Sequence, residues 1–516
     1  MMVAGCGILP VGQAGSAPPS SAPAATAPAA SAPAATGTPA ATAAGDADTR
    51  PALATTHSSL SPAYQIDLVG LNRVAGRYLV IQLRLSNTGT EDISWVSDLR
   101  DNMREARPFR WVSGIGVLDA AAGRWLLPYQ PSDADCLCTD ERRDGLGHFL
   151  DAGESITVFA VVPAPSGNPA TTTVVTPAAP PMIDVPISDD PVTPPPGQIV
   201  PDPAAQPVTE ISHPLLAPSE ALDGTEETSD DGTDVHVNLS SDVLFAVNEA
   251  KLTSRAKSLL ARTAKQIDDS PAGTVAVEGH ADSSGTDAIN NPLSLRRAEA
   301  VRDALTKLLT RSEVRFTVKG YGSRRPLYSN EEEEGRRRNR RVTVTFAKPE
   351  PPAPAPSVQS PAAQSSGPPP AGQGLTARAN DDGQPFALEV TGLRRLPGDL
   401  GVLTYTVTNA GDEAAWNHEL HQSAEWLSYK YQAASNVRLT DEAAGRQYLP
   451  GRIMVTAGDD TDAYCACSDL SGVRLSASKF DPGETKGFWT LFALPPAGST
   501  VQVKIAQYPP LQVPVP

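Results

Sequence analysis

Proline crowds into particular stretches of this chain, and that distribution decides which parts can fold. A residue that fixes φ and donates no backbone hydrogen bond interrupts helices and central strands alike. Fifty of the 516 residues are proline, and three segments, 7–58, 188–233 and 349–382, combine it with Ala, Ser, Thr or acidic side chains. Segments so poor in large apolar groups read as a disordered tether and two linkers. Three units then remain to fold, 59–187, 234–348 and 383–516, each long enough to bury its own core. The formal net charge of -17 argues against nucleic acid as a partner, because polyanion binding draws on neutralised phosphates. No run of 18 apolar residues is present, so no helix is expected to span a membrane.

The first and third units read as copies of each other. Val69-Gly70-Leu71 aligns with Thr391-Gly392-Leu393, and Asn87 and Asn409 each follow their glycine by 17 residues. Ala122-Gly123-Arg124 with Pro128 matches Ala444-Gly445-Arg446 with Pro450, and Asp151-Ala-Gly153-Glu154 matches Asp481-Pro-Gly483-Glu484. Leu79 to Leu85 and Val402 to Val407 are strand-like, and each runs into an Asn-x-Gly turn. Short strands and frequent turns predict an antiparallel β-sandwich for both. These units resemble the immunoglobulin-like domains of surface lipoproteins, a fold that fixes no function.

The middle unit alternates element types. Strands are predicted at Val235–Leu239, Thr274–Glu278, Val314–Val318 and Val342–Phe346. One helix, capped by Thr253, would bury Leu259, Leu260 and Ile267, and a second, capped by Ser294, would bury Ala298, Val301, Leu305 and Leu308. The expected order is β-α-β-α-β-β, an α+β fold. Across it run Glu278-Gly-His-Ala-Asp282-Ser-Ser-Gly285, then Asn290-Asn-Pro-Leu293-Ser-Leu-Arg-Arg297-Ala298, then Asn330 and Gly335-Arg336-Arg-Arg-Asn339-Arg340-Arg341-Val342.

These motifs, over about a fifth of the chain, resemble the OmpA-like (outer-membrane protein A, C-terminal type) peptidoglycan-binding domain. The resemblance implies a pocket for the free end of a diaminopimelate stem residue, an ammonium beside a carboxylate. Asp282 would pair with the ammonium. Arg297 would take the carboxylate through its planar fork, which lysine cannot offer. Asn290, Leu293, Asn339 and Arg340 match positions that line or brace the pocket, Arg340 as a second cationic contact. Gly279 and Gly285 read as turn residues. His280 reads as a structural, hydrogen-bonding side chain rather than part of a triad. The run Arg336–Arg341 loses its field to Glu331–Glu334.

The five cysteines fall as Cys6 and two C-x-C pairs, Cys136 with Cys138 and Cys465 with Cys467. Val3-Ala4-Gly5-Cys6 is similar to a bacterial lipobox, which would make Cys6 the site of lipidation. The few residues before it are too short for a secretory signal, so either the start lies further upstream or the match is accidental. Each C-x-C pair is open to three readings: a short-loop disulfide in an oxidising compartment, paired thiolates for a soft metal such as Cu(I), or buried thiols. No nucleophile elbow, zinc cluster or carboxylate pair suggests an enzyme, and no cofactor is expected. The sequence thus reads as an exported, lipid-anchored envelope protein, tethered to the cell wall through peptidoglycan, with unknown envelope partners for the β units. The alternative is a Cu(I)-handling or thiol-redox protein that its middle domain only localises.

Overall fold

The computed structural model describes residues 48–59, 61–96, 98–103, 111–131, 135–271, 273–349, 375–421, 429–430, 433–457, 460–468 and 479–516. Cys6 and most of the expected tether and second linker lie outside them.

The first unit contains β1 (Ala54–His57), β2 (Tyr64–Val74), β3 (Tyr78–Asn87), β4 (Ile93–Ser94), β5 (Gly116–Asp119), β6 (Arg124–Gln130), β7 (Phe149–Leu150), β8 (Ser155–Pro163), β9 (Thr171–Val175) and β10 (Met182–Pro186). β11 (Thr209–Leu216), β12 (Ser219–Ala221) and β13 (Glu226–Asp230) follow. The middle unit runs β14 (Asp234–Ser240), α1 (Ser241–Leu244), α2 (Ala256–Asp269), β15 (Thr274–His280), α3 (Asp287–Leu308), β16 (Arg315–Gly322), α4 (Glu333–Asn339) and β17 (Arg341–Ala347). The third contains β18 (Leu375–Asp381), β19 (Gln384–Arg395), β20 (Leu400–Asn409), β21 (Val437–Asp441), β22 (Arg446–Tyr448), β23 (Arg452–Ala457), β24 (Asp460–Cys465), β25 (Thr485–Ala493), β26 (Thr500–Ile505) and β27 (Leu511–Pro514).

Two four-stranded antiparallel sheets, β1-β2-β3-β8 and β18-β19-β20-β25, share one design. In each, the register slips by one residue at a bulge just before Gly70 or Gly392, which lets the long hairpin bend over its core. Asn87 and Asn409 close both hairpins identically: the amide accepts from the N–H of Gly89 or Gly411 and donates to two carbonyls. Ile66, Leu83 and Val158 anchor the core of the first unit, and Leu388, Tyr405 and Phe488 that of the third. The first sheet begins earlier than the composition suggested, because β1 pairs with β2 from Ala54 to His57. Likewise β18, inside the expected second linker, pairs along β19. Both are edge strands of small and polar residues, whose burial is too slight to mark them in a composition profile.

The acidic segment 188–233 requires a larger correction. Its strands are integral to the protein. β11 pairs with β6 on one side and β23 on the other, β12 pairs with β22, and β13 with β14. A seven-stranded sheet, β10-β9-β5-β6-β11-β23-β24, and a ten-stranded sheet, β16-β15-β17-β14-β13-β12-β22-β21-β26-β27, result. Three carboxylates of this segment, Glu220, Glu226 and Glu227, are buried and matched by arginines from both neighbours. Glu220 binds Arg338, and Glu226 accepts from Arg446 at 2.8 Å. Charged side chains tolerate burial when paired in this way. A further apolar core lies across β6, β11, β20, β23 and β25, where Trp125 and Trp489 stack with ring centres 6.5 Å apart and planes 9° from parallel.

In the middle unit α2 and α3 cover one face of the sheet. Val237, Val277 and Val344 meet Leu260, Ile267, Val301 and Leu305 in a closed core. Thr253 accepts from the N–H of Ala256 at the start of α2, as its sequence context predicts. Ser294, expected to cap α3, sits inside it. The N–H groups of Ile289 and Asn290 already bond to the carbonyl of Thr286, so the first turn forms ahead of Pro292 and the helix absorbs that proline. Gly279 is a packing glycine rather than a turn residue: a Cβ there would stand 2.0 Å from the carbonyl oxygen of Ser294. That close approach fixes α3 against β15. Gly285, at φ 81°, does occupy a turn.

Candidate functional site

The site forms where β15 ends, beside the first turns of α3. Asp282 is two residues beyond β15 and is buried. Its Oδ1 accepts from the N–H of Ser284 at 2.8 Å, an Asx-type contact that starts the loop, and its Oδ2 accepts from Nη1 of Arg340 at 2.7 Å. Arg340 also reaches Asp242 at 2.9 Å and Glu333 at 3.0 Å. One guanidinium therefore ties three carboxylates. Its hydrogen bonds, led by that to Asp242, hold the proton more tightly than an ordinary arginine does.

On α3, Asn290, Leu293 and Arg297 follow one another at spacings that place them on one helix face. Asn290 is buried and donates to the carbonyls of Ser284 at 2.8 Å and Asp282 at 3.5 Å, bracing the loop that carries the carboxylate. Leu293 is half-buried one turn before Arg297. Arg297 is itself buried and donates from Nε to the carbonyl of Glu249 at 2.9 Å, with its guanidinium 5.1 Å from the centre of the Phe245 ring. Its two Nη groups have no hydrogen-bonding partner among the described residues. Burial lowers its pKa first of all; Asp242 and Asp282 oppose that shift and Arg340 adds to it. A buried fork that is anchored at Nε and open at both Nη atoms can bind a carboxylate bidentately.

Asn339 braces the site from the far side. Fully buried, its Oδ1 accepts from the N–H groups of Leu327 and Tyr328 at 2.9 and 3.0 Å. Its Nδ2 donates to the carbonyl of Tyr328 at 2.7 Å and to Oδ1 of Asn330 at 3.0 Å. Asn330 in turn accepts from the N–H of Ser283 at 3.2 Å. Asn339 and Asp282 are thus linked through two loops without touching. The arginine run forms α4, where Arg336 pairs with Glu333 and Arg337 with Glu334, so these charges are spent locally.

Three contributors had no signal in the sequence. Asp242, Phe245 and Glu249 reach Arg340 and Arg297 across 98, 52 and 48 positions of chain, and only the folded backbone brings them together. His280 departs from expectation. Its ring is buried and stacks on Tyr321 at 5.5 Å, but its Nδ1 has no hydrogen-bond partner.

A family model described as the OmpA family matches residues 244–340. These residues form an OmpA-like domain. Over 100 residues it is 40% identical to outer membrane porin F of Pseudomonas aeruginosa, covering 19% of this chain and 29% of that protein. Over 94 residues it is 34% identical to the peptidoglycan-associated lipoprotein of Mesorhizobium japonicum, covering 18% of this chain and 55% of that protein. The cell wall anchor of the T6SS from Pseudomonas aeruginosa is 32% identical, with 24% of this chain and 88% of that chain covered at a TM-score of 0.22. The chain spans about a third of the length of the first curated relatives it matches. All the site residues described above lie within the OmpA-like domain except Asp242, immediately before the matched segment.

Outside the OmpA-like domain, Cys136 is joined to Cys138 and Cys465 to Cys467 as disulfides, all four buried. In that state they offer no thiolate to a metal. Among the described residues one trio, Asp381, Asp382 and His418, brings potential ligand atoms within 4.8 Å of one another. Asp381 already accepts from the N–H groups of His418 and Glu419, so it serves as a turn cap.

Proposed function

We propose that this protein binds peptidoglycan non-covalently through the diaminopimelate of the stem peptide and tethers an envelope lipoprotein to the cell wall. The observation that carries this reading is the open Nη edge of buried Arg297 on the same loop-and-helix corner as Asp282. A stem end that bears an ammonium beside a carboxylate would place its carboxylate on Arg297 and its ammonium on Asp282. Arg340 would shift toward Asp242 and Glu333, which already hold it. The similarity to a peptidoglycan-associated lipoprotein supports the ligand, and the outer-membrane and lipoprotein relatives support a place in the cell envelope. Lipidation at Cys6 would supply the membrane end of the tether. One pocket for one stem end binds weakly, and membrane attachment compensates through effective concentration. The β units would act as spacers or docking sites for other envelope proteins.

The test is sedimentation of the full chain with purified insoluble peptidoglycan, comparing wild type with Asp282→Ala and Arg297→Ala and competing with free diaminopimelate. The full chain is needed because excising the middle unit would strip β13 from the edge of β14. Co-sedimentation lost in both variants and competed by diaminopimelate is expected. Equal retention of all three proteins would overturn the proposal.

A further inference from the structure

The loop from Ser323 to Glu332, between β16 and α4, contains no helix or strand, yet it braces the corner that holds Asp282. Asn330 accepts from the N–H of Ser283 at 3.2 Å and from Nδ2 of Asn339 at 3.0 Å. An irregular loop keeps such a geometry only where packing fixes it. Asn339 supplies one anchor, from inside the OmpA-like domain. Tyr328 supplies another, and it reaches outside that domain.

Tyr328 is buried, and its hydroxyl donates to Glu227 on β13. Its ring packs on Leu449, between β22 and β23, and the ring centre lies 4.4 Å from the guanidinium carbon of Arg452 on β23. Arg452 is buried as well. It stands 5.8 Å from the centre of the Tyr429 ring, and its Nη1 is 3.5 Å from the carbonyl oxygen of Leu327. A guanidinium so far from water is stabilised by ring faces and carbonyl oxygens, which ties it to the loop. Glu227, Tyr429, Leu449 and Arg452 all lie outside residues 244–340. The third unit thus forms part of the mould for a loop that belongs to the OmpA-like domain.

We propose that Tyr328 is a positioning residue through which the third unit holds the Asp282 loop in its binding geometry, an inference that rests on the peptidoglycan-binding reading for its ligand. It gives the third unit a part in the site itself, beyond that of a spacer. Leu449 and Arg452 fix the Tyr328 ring, and Leu327 and Tyr328 present their N–H groups to Asn339 at 2.9 and 3.0 Å. Asn339 orients Asn330, and Asn330 holds Ser283 next to Asp282. Withdrawing the support from Tyr328 lets the loop open locally, and the bond to Ser283 goes with it. Asp282 then keeps its contacts with Ser284 and Arg340 but loses the fixed loop that aims it.

The experiment takes two readouts on the full chain: affinity for free diaminopimelate by calorimetry, and hydrogen exchange of the backbone from Asp282 to Ser284 and from Leu327 to Asn330. Tyr328→Ala could disturb folding, so Leu449→Ala, which removes packing from the ring at a position in the third unit, accompanies it. Both are expected to weaken diaminopimelate binding about fivefold and to speed exchange in the two loop segments about tenfold. Tyr328→Phe, which keeps the ring, should stay within about twofold of wild type. Leu388→Ala weakens a core of the third unit that does not include Tyr328 and should leave both readouts unchanged, which separates lost positioning from lost stability. Exchange in β15 is expected to match wild type throughout. Unchanged loop exchange in Leu449→Ala, faster exchange with unaltered affinity, or equal effects of Leu388→Ala would each overturn the proposal. A wild type that does not bind diaminopimelate overturns the ligand reading instead, and the exchange arm still decides whether the third unit positions the loop.

Discussion

Nη1 of Arg340 lies 2.7 Å from Oδ2 of Asp282, so the carboxylate proposed to meet a ligand ammonium already holds a cation of the protein itself. Asp282 is 6% exposed, and without that guanidinium a nearly buried charge would be left unpaired. Arg340→Ala is therefore expected to destabilise the full chain by about 1–3 kcal/mol, below the cost of breaking a fully buried pair because Arg340 is a quarter exposed. Urea denaturation followed by tryptophan fluorescence checks it. No change in midpoint would mean that Ser284 and solvent suffice to hold Asp282.

Asn339 is the side chain on which the loop from Leu327 to Asn330 depends. Asn339→Ala leaves two N–H groups and one carbonyl unpaired in a buried place, at a cost of about 2–4 kcal/mol. Asn339→Asp keeps the acceptor but loses both donors, and is expected to recover less than half of the loss. The same denaturation series measures both, and peptidoglycan sedimentation should weaken in each, because Asn330 no longer orients Ser283.

Trp125 and Trp489 join the first and third units through a common core. Trp489→Ala should cost about 3–5 kcal/mol. Hydrogen exchange is expected to accelerate in β6, β11 and β23 together, and to stay near wild type in β15 and α3. Acceleration confined to β25 would contradict a shared core.

Burial lowers the pKa of His280 to about 2 and of His421 to about 4. Both are neutral when folded, while the unfolded chain takes up protons as pH falls below about 6.5. The unfolded state thus binds more protons throughout that window, so stability is full above pH 6.5 and is lost as pH drops toward the folded values. Between pH 6.5 and 5 the two together should contribute a slope of up to about 2–3 kcal/mol per pH unit. His280→Gln should remove roughly half of it. An unchanged slope in that variant would place the pH dependence elsewhere.

Much of the candidate site corner could be read from the sequence, because strand, turn and helix signals there agree with the motif spacing. Asp282, Asn290, Arg297 and Asn339 all stand where that spacing put them. Asp242, Phe245 and Glu249 could not be read, since nothing local distinguishes a residue that meets its partner across half a domain. The segment from Thr209 to Asp230 was misjudged for a different reason. Ile211, His213 and Leu215 alternate as a buried strand should, but prolines and carboxylates around them suggest solvent, and their compensating arginines lie more than 100 residues away. Pairing across that distance leaves no trace in composition.

The ten-stranded sheet also bears on how force would travel. A load applied to the corner beside α3 passes from β17 through β14, β13 and β12 into β22, one hydrogen-bonded ladder after another. β12 and β13 meet over two pairs but are joined by their own turn; of the ladders between separate units, the shortest is β12 with β22, from Ser219 to Ala221. Slack must first be created there, by shearing three residue pairs and the Glu220 contacts with Arg338 and Gln447. Up to that point the middle and third units carry tension as a stiff strut, not as beads on a cord.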